Sequence, residues 1–487
     1  MDLREGPGLT RQGEHLALVA LTLPVLLLSM DATILGFAVP QLSESLEPSS
    51  AELLWIIDIY SFVLSGLLIT MGNLGDRIGR RRLLLIGSAG FAAASVASAF
   101  APTPLTLIAA RALLGVAGAT LMPSTLSLIR NIFLDERRRQ FAISVWAMMF
   151  SVGAVAGPIV GGLLLQRYWY GSVFLVSVPV TLALLVVGPL LIPESRDPTP
   201  GPFDVPSSAL SMTAILPLVL AMKLVAEDGW SPLVLPSLVV GLTAGWAFVR
   251  RQEHLTEPMI DMSLFRVPKF RVAITGNLLT CFGFAGQAFF VTQYLQLVLG
   301  LSPTRAALQL LPGALVGVVA TLGAPAMMRR WGPFAVISRG LAVGALGFVV
   351  LATIAPDSSL VPVTVALVLI EAGLCAAITT AIDGIMASIP PAKAGAGGAV
   401  SETANELGVA LGTAVLGSVM VAVYRNQLEG APEAARETLG AAHQLGGAEL
   451  VADANAAFVD GVQVASVITA VLLAAVAVAS WRVSKDR

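Results

Sequence analysis

Long apolar runs recur along almost the whole chain, and they constrain its fold more than any other feature. They lie between His15 and Trp481 and hold about twenty residues each, which as a helix is enough to cross the hydrocarbon core of a bilayer. Only 12% of the 487 residues are charged, whereas soluble proteins carry about 25%. The sequence therefore predicts an all-α polytopic membrane protein and excludes a soluble globular domain.

The breaks between the apolar runs define fourteen predicted spans and their orientation. Arginine and lysine concentrate in alternate breaks, and basic residues favour the cytoplasmic side of a membrane. Both tails belong to this basic side, since Arg4 and Arg11 lie in one and Lys485 lies in the other. Arginine far outnumbers lysine, which is typical of a GC-rich bacterial genome. We therefore predict a protein of the bacterial inner (plasma) membrane with both termini in the cytoplasm.

Two loop sequences indicate an internal duplication. The loop after the second span reads GDRIGRRR, and the loop after the tenth reads MRRWGPF. We predict an N-terminal six-helix bundle over residues 1–192, a two-helix linker insert over 193–269 and a C-terminal six-helix bundle over 270–487, as in transporters built from parallel repeats. An Ala-rich, acidic extracellular loop over 425–457 is either a short helical hairpin or mobile loop, or a disordered insert without function.

The most specific motif is GNLGDRIGRRRLLLIG, which begins at Gly72. It resembles the loop signature of the major facilitator superfamily, and the matching residues are Gly72, Leu74, Asp76, Arg77, Gly79, Arg80 and Arg81. The resemblance implies a major facilitator fold with 14 transmembrane helices. It also implies that Asp76 contacts the N-terminal end of a helix in the other bundle, here the thirteenth span at GAGGAV, where the macrodipole favours a carboxylate. An ordinary positive-inside loop would explain the arginines alone.

Two further motifs of that superfamily occur in the fourth and fifth spans. Arg111 stands at the place of the motif arginine in the fourth span. In the fifth, GAVAGPIVGG matches the antiporter signature through Gly153, Gly157, Pro158, Gly161 and Gly162. Proline bends a helix and glycines allow close helix contacts, so this segment is predicted to be a conformational element. Helix packing alone is the alternative interpretation.

Asp31 lies in an otherwise apolar stretch of the first span, MDATILGFAVP. This stretch resembles a motif of the fourteen-helix drug/proton antiporter branch, and the whole chain is similar to multidrug exporters of the QacA and LfrA type. By helix rise, Asp31 and Arg111 both fall in the outer half of the membrane, so their depths allow them to pair. Burial and a nearby cation shift the pKa of a carboxyl group in opposite directions, and an acid balanced between them can exchange protons.

Further ionisable residues inside the membrane are functional candidates. The resemblance implies that Asp31, Asp58, Glu402 and Glu406 serve protonation and cation binding. Glu402 and Glu406 are four residues apart and hence share a helix face. Glu371 also lies near mid-membrane and is predicted to join them in binding substrate.

Aromatic and apolar side chains are expected around a lipophilic cation. The candidates are Tyr60 in the second span and Phe282, Phe289 and Gln293 in the ninth. A lipid-facing position is the alternative for each of these phenylalanines.

Together these features predict a proton-coupled multidrug efflux antiporter that works by alternating access. Its expected cargo is lipophilic cations: quaternary ammonium compounds, ethidium- and acridine-type dyes and, by extension, fluoroquinolones. The residues predicted to couple protons are Asp31, Asp58, Arg111, Glu402 and Glu406. One alternative is a dedicated exporter of a single natural product or antibiotic, and another is a non-transporting membrane sensor or scaffold.

An enzyme is not expected. The sequence has no G-x-x-x-x-G-K phosphate loop, no nucleophile–base set and no metal-ligand spacing. We therefore expect no cofactor or metal other than the proton as coupling ion, no nucleic acid and no obligate protein partner, with a monomer as the working form.

Overall fold

A computed structural model describes residues 11–48, 50–196, 204–227, 231–256, 258–301, 303–437 and 439–485. This part of the chain is helical and contains no β-strand. In chain order, the helices are α1 (Arg11–Leu46), α2 (Ser50–Ile78), α3 (Arg80–Ala99), α4 (Pro104–Ile132), α5 (Glu136–Leu165), α6 (Ser172–Leu175), α7 (Ser177–Leu191), α8 (Val205–Glu227), α9 (Val234–His254), α10 (Pro268–Gln293), α11 (Pro303–Trp331), α12 (Pro333–Leu351), α13 (Leu360–Ser388), α14 (Ala394–Gln427), α15 (Glu433–Glu437), α16 (Leu439–Leu445) and α17 (Ala448–Lys485). A five-residue π-helical turn, Tyr294–Val298, continues α10.

Twelve helices of the described chain are long and apolar enough to cross a membrane. Helices α2 and α9 have sufficient length but are not among those twelve, so the count of fourteen spans stays a prediction. The surface carries large apolar side chains such as Leu190, 79% exposed, while charged groups such as Arg111, 1% exposed, lie inside. This distribution suits a protein whose surroundings are lipid.

Several helices begin at polar caps that the sequence supplies. The Thr103 hydroxyl accepts from the Thr106 backbone N–H at 3.3 Å, and the Thr106 hydroxyl accepts from the Thr103 N–H at 3.1 Å. This reciprocal pair satisfies amides that α4 cannot bond internally. At α5 the Asp135 carboxylate accepts from the Arg138 N–H at 3.0 Å. These caps fix where both helices start.

The described chain divides into two compact units. The first consists of Met1–Leu216, Val240–Met262 and Ile385–Thr403, and the second of Pro217–Val239, Ser263–Gly384 and Ala404–Arg487. The first turns of α14 therefore belong to the first unit. The predicted domain boundaries at 192 and 269 stay a prediction.

Glycines bring the same helix pairs together in both halves of the chain. In the first unit, α5 packs against α1 at Gly153, and α4 packs against α2 at Gly115. In the second unit, α14 packs against α10 at Gly408 and Gly412, and α11 packs against α13 at Gly317. Counted as spans, the first meets the fifth and the second meets the fourth, and both pairings recur eight spans later. An internal duplication would produce this pattern.

The predicted extracellular loop contains a packed helical hairpin, α15 and α16. Ala435 and Ala442 are fully buried in the core cluster of the second unit, together with Leu439. The Tyr424 hydroxyl of α14 donates to the Ala435 carbonyl at 2.9 Å. Of the two interpretations of this loop, the structure matches the hairpin and not the disordered insert; Thr438 lies outside the described residues.

Two tryptophans in the second unit stack against cations. The Arg339 guanidinium lies 4.4 Å from the ring centroid of Trp331, at the end of α11. The Lys485 Nζ lies 3.8 Å from the ring centroid of Trp481, near the end of α17. Both positions belong to the predicted inner side, where amphipathic rings favour the membrane interface.

Within the predicted linker, Asp204 ties the start of α8 to α9. Its carboxylate accepts from Arg251 Nη2 at 2.9 Å and from the Ser207 backbone N–H at 3.1 Å. Burial alone would raise the pKa of Asp204, but the hydrogen bonds from Arg251 and Ser207 outweigh it and lower that pKa below its ordinary value. The carboxylate is therefore held in its charged form.

Candidate functional site

The Asp31 side chain in α1 forms a buried ion pair with Arg111 of α4. Arg111 Nη1 donates to Asp31 Oδ2 at 2.8 Å, and the two side chains are 2% and 9% exposed. The structure thus brings together the two residues that helix rise placed at a similar depth. Each of these buried charges stabilises the other, because an unpaired charge in an apolar interior has a high free energy.

Arg111 is also held by groups other than Asp31. Its Nε donates to the Ile56 carbonyl at 3.1 Å and its Nη2 donates to the Ile57 carbonyl at 3.4 Å. The guanidinium carbon lies 4.9 Å from the ring centroid of Tyr60. One face of Tyr60, predicted to contact substrate, is thus occupied by Arg111. Neutral groups therefore hold the guanidinium in place together with Asp31.

A glycine permits the close approach of α4 to α2 that these contacts require. A Cβ atom at Gly115 would lie 2.6 Å from the Tyr60 carbonyl oxygen and 3.0 Å from Val63 Cβ. Gly115 follows Arg111 by four residues and hence shares its helix face. Because Gly115 lets α4 lie close to α2, the Arg111 guanidinium can reach the α2 backbone carbonyls.

Three glycines of α5 form a continuous contact with α1 around Asp31, which we call the α1–α5 seam: Gly153, Gly157 and Gly161. A Cβ at Gly153 would lie 2.6 Å from the Leu26 carbonyl oxygen, and one at Gly157 would overlap the Thr33 hydroxyl. The Ser29 hydroxyl donates to the Phe150 carbonyl at 2.6 Å across the same seam. The antiporter signature thus positions the helix that carries Asp31.

The prediction of a tight contact is wrong for Gly162. An added Cβ there would meet nothing within 4 Å. Gly162 follows Gly161 by one residue, which turns its Cβ direction about 100° away from α1. The side chain of Pro158 lies outside the described part of the structure.

The seam predicts opposite effects for two glycine-to-alanine changes in one helix. Gly153→Ala should lower the free energy of unfolding by about 1–3 kcal/mol, because the new methyl group meets a backbone carbonyl that cannot move aside. Gly162→Ala should be neutral or stabilising by up to about 1 kcal/mol, because alanine is the better helix former. Thermal unfolding of the purified variants in detergent measures both. Equal melting temperatures for the two variants would contradict the seam.

A second cluster of polar contacts lies at the predicted inner ends of α2 and α14. Asp76 Oδ1 accepts from the Gly395 N–H at 2.9 Å, and Oδ2 accepts from the Ala396 N–H at 3.1 Å. These amides belong to the first turn of α14, the helix that the resemblance implied as the partner of Asp76. Gly72 makes this approach possible, since a Cβ there would lie 2.7 Å from Ala399 Cβ. The carboxylate caps a helix whose dipole favours negative charge.

Arg80 joins Asp76 to two other segments of the first unit. It is 1% exposed, and its Nη2 lies 2.6 Å from Asp76 Oδ1. It also donates to the Ser195 hydroxyl at 3.0 Å through Nη1 and to the Pro391 carbonyl at 3.0 Å through Nη2. Arg80 is thus a structural member of this cluster, whereas Arg77 donates to Asn73 of its own helix at 3.0 Å.

Sequence reasoning missed Glu194, which caps α3. Its carboxylate accepts from the backbone N–H of Arg81 at 3.0 Å and of Arg82 at 3.2 Å. Gly79, before α3, has φ +109°, and a Cβ there would lie 2.7 Å from the Glu194 carboxyl carbon. Glycine is required at this position for two reasons. It can adopt this backbone conformation, and it has no Cβ that would clash with the Glu194 carboxylate. No periodicity links residue 79 to residue 194, so only the structure reveals the contact.

Of the remaining predicted site residues, Asp58 lies on α2 and the others lie on α10, α13 and α14. Glu402 is 5% exposed and Glu406 is partly exposed. Phe282 is 4% exposed and belongs to the core cluster of the second unit, so its ring contacts other side chains. Gln293 is partly exposed, and Glu371 accepts from the Gln287 side chain at 3.3 Å. The side chains of Asp58 and Phe289 lie outside the described part of the structure.

No group of three metal-ligating side chains occurs among the described residues. The first unit contains a buried carboxylate that is paired with a guanidinium held in place by further contacts. Ion pairs of this kind inside a membrane mark proton or ion pathways.

Three bacterial proteins are similar to the chain over most of their length. The multidrug efflux pump LfrA of Mycolicibacterium smegmatis is 48% identical over 475 residues, which are 95% of this chain and 94% of LfrA. The methyl viologen resistance protein SmvA of Salmonella typhimurium is 36% identical over 84% of this chain and 82% of SmvA. The tetracenomycin C resistance and export protein of Streptomyces glaucescens is 34% identical over 83% of this chain and 75% of that protein.

A family comparison and a solved structure agree with these similarities. The family model of the Major Facilitator Superfamily matches residues 21–413. The crystal structure of the human organic anion transporter MFSD10 has a TM-score of 0.62 to the chain at 16% sequence identity, covering 96% of this chain and 100% of that one. At this identity the likeness concerns the fold alone.

Proposed function

The chain belongs to the major facilitator superfamily, and from this membership we propose that it is a proton-coupled antiporter that exports lipophilic, mostly monovalent cations and related drugs. As a member of a transporter family it is a multi-pass membrane protein that moves a solute and is not an enzyme. The relatives named as a multidrug efflux pump and as a methyl viologen resistance protein support cationic drugs as the cargo.

The buried pair of Asp31 and Arg111 carries the proposal. At 2.8 Å the carboxylate is paired, and neutral groups hold the guanidinium in place when the carboxylate is protonated. Asp31 therefore takes a proton from the outer side and gives it up when Arg111 favours the charged form again. A carrier that alternates between these two states couples its cycle to the proton gradient.

The cargo would bind the acids of α14. Glu402 and Glu406 lie on one face of that helix, and a lipophilic cation neutralises one of them. Protonation through Asp31 and Asp58 then releases the cation outward, and the protonated carrier returns. The proton is the only coupling ion in this scheme, and the protein works as a monomer in the bacterial inner membrane with both termini in the cytoplasm.

Ethidium transport in inverted membrane vesicles tests the proposed function. We expect respiration-driven ethidium accumulation that a protonophore abolishes and that does not depend on ATP. Vesicles without the protein are the control. Accumulation that survives the protonophore would contradict proton coupling, and no ethidium transport at all would contradict the cation substrate.

A dedicated exporter of one natural product is the second candidate. It is favoured by the similarity to the tetracenomycin C resistance and export protein. Transport assays with a panel of quaternary ammonium compounds, dyes and aromatic antibiotics separate the two candidates. A dedicated exporter would not transport ethidium or quaternary ammonium compounds.

A further inference from the structure

The second unit contains a partly exposed acid for which the described chain provides no ion-pair partner. Glu371 lies on α13, and its Oε1 accepts from Gln287 Nε2 of α10 at 3.3 Å. Its Oε2 accepts from the Cys375 thiol at 3.4 Å. Among the described residues, no lysine, arginine or histidine forms an ion pair with it. A carboxylate held only by neutral donors retains the capacity to attract a positive charge.

Gln287 adds an acceptor beside this carboxylate. The side chain is 8% exposed, and its Oε1 has no hydrogen-bond partner among the described residues. An ionised Glu371 can accept only from the NH₂ group of this amide. A buried amide oxygen without a donor is unfavourable, so this atom is satisfied when a group carrying an N–H or O–H enters.

Helix α11 approaches the side chains of Glu371 and Cys375 through glycines. A Cβ at Gly317 would lie 2.9 Å from Glu371 Oε2 and 3.0 Å from Cys375 Sγ, and one at Gly313 would lie 3.2 Å from Glu371 Cγ. Glu371 remains partly exposed. At these two positions the backbone of α11 therefore lies directly against the Glu371 side chain, with no α11 side chain between them.

The position of Glu371 can be compared with the ion pair in the corresponding helices of the first unit. In the first unit, an acid of the first span meets an arginine of the fourth at 2.8 Å. Eight spans later, Gln287 of the ninth span meets Glu371 of the twelfth. In the first unit the chain supplies both charges of the pair. In the second unit the described chain supplies only the negative charge of Glu371 and the Gln287 Oε1 acceptor, which has no hydrogen-bond donor.

We propose that Glu371 and Gln287 form a subsite for cations that carry an N–H group, in which the cargo supplies the positive charge that Arg111 supplies in the first unit. The ammonium charge lies against Glu371, and its N–H donates to Gln287 Oε1. This inference rests on the proposed export of cations and narrows its substrate class. Protonated tertiary amines bind better than quaternary ammonium compounds of the same shape.

A matched pair of cations tests the subsite. Dimethyl(naphthylmethyl)amine is protonated at neutral pH, and trimethyl(naphthylmethyl)ammonium differs from it by one N–H replaced by N–CH₃. Isothermal titration calorimetry of each cation with the purified full-length protein in nanodiscs gives its affinity. We expect the wild type to bind the tertiary amine roughly tenfold more tightly, as one charged hydrogen bond would produce.

Two variants locate the preference. Gln287→Leu should reduce the ratio of the two affinities to about one, and Glu371→Gln should weaken both cations while ethidium still binds at Glu402 and Glu406. Gln463→Leu is the matched control, because Gln463 donates to the Ile354 carbonyl at 2.8 Å elsewhere in the second unit, and it should keep the tenfold preference.

The outcomes separate this subsite from the proposed function. Equal affinities in the wild type, or an unchanged preference in both Gln287→Leu and Glu371→Gln, would overturn the subsite while ethidium transport stands. Should ethidium neither bind nor be transported, the proposed function itself fails. A variant that still binds ethidium is folded, so a lost preference in it cannot come from misfolding.

Discussion

Replacement of Asp31 by Asn is expected to abolish proton-driven efflux and to lower the free energy of unfolding by about 3–5 kcal/mol, the range for removing one partner of a buried ion pair. The asparagine has the same shape but neither charge nor a proton to exchange. Arg111, which is 1% exposed, is then left without its counter-charge. Ethidium accumulation in inverted vesicles and thermal unfolding in detergent measure the two effects separately.

A double variant separates coupling from stability. Asp31→Leu with Arg111→Leu removes both charges, so much of the lost stability should return, while proton-driven efflux should not. Glu14→Gln is the matched control, because its partner Arg138 is 48% exposed and such pairs contribute only about 0–1 kcal/mol. Wild-type proton-driven efflux by Asp31→Asn would remove Asp31 from the mechanism.

Replacement of Asp76 by Asn should release the first turn of α14. Asparagine can accept from only one of the two amides that Asp76 now bonds, at 2.9 and 3.1 Å, and it removes the negative charge that Asp76 presents to Arg80. Loss of about 3 kcal/mol would raise the hydrogen-exchange rate of Ala394–Thr403 roughly a hundredfold. We expect slower ethidium export as well, because this contact holds α14 in the first unit.

Asp135→Asn provides the comparison for that variant. Asp135 caps α5 at an exposed position, where asparagine is as good a cap as aspartate. Its hydrogen exchange and transport should remain at wild-type values. If Asp76→Asn left the protection of Ala394–Thr403 unchanged as well, the carboxylate would have no part in holding α14.

Much of the fold was predictable because lipid imposes simple rules. The long apolar runs predicted an all-helical membrane protein, and the loop motif indicated the major facilitator superfamily; both are confirmed. Helix rise, counted from the ends of their spans, placed Asp31 and Arg111 at a similar depth and so made a pair possible, and the structure shows that the pair forms. The partner of Asp76 came from the family resemblance and not from the residues themselves.

Contacts between distant segments were beyond sequence reasoning. Nothing in the pattern relates Glu194 to the amides of α3, or Ser195 to Arg80, because no period spans more than a hundred residues. Gln287 was missed because a lone amide in an apolar helix carries no signal until its neighbours are known. Gly162 was wrongly grouped with Gly161, since a motif does not tell which glycines face another helix.

The Trp331–Arg339 and Trp481–Lys485 stacks mark where the membrane–water interface crosses the second unit. If the second unit moved toward the acyl chains, the stacked cations would lose water. If it moved toward the aqueous phase, the indole rings would leave the interface. Both displacements raise the free energy, so the two stacks resist movement of the second unit along the membrane normal. A thicker or thinner bilayer is then accommodated by helix tilt and by deformation of the surrounding lipid.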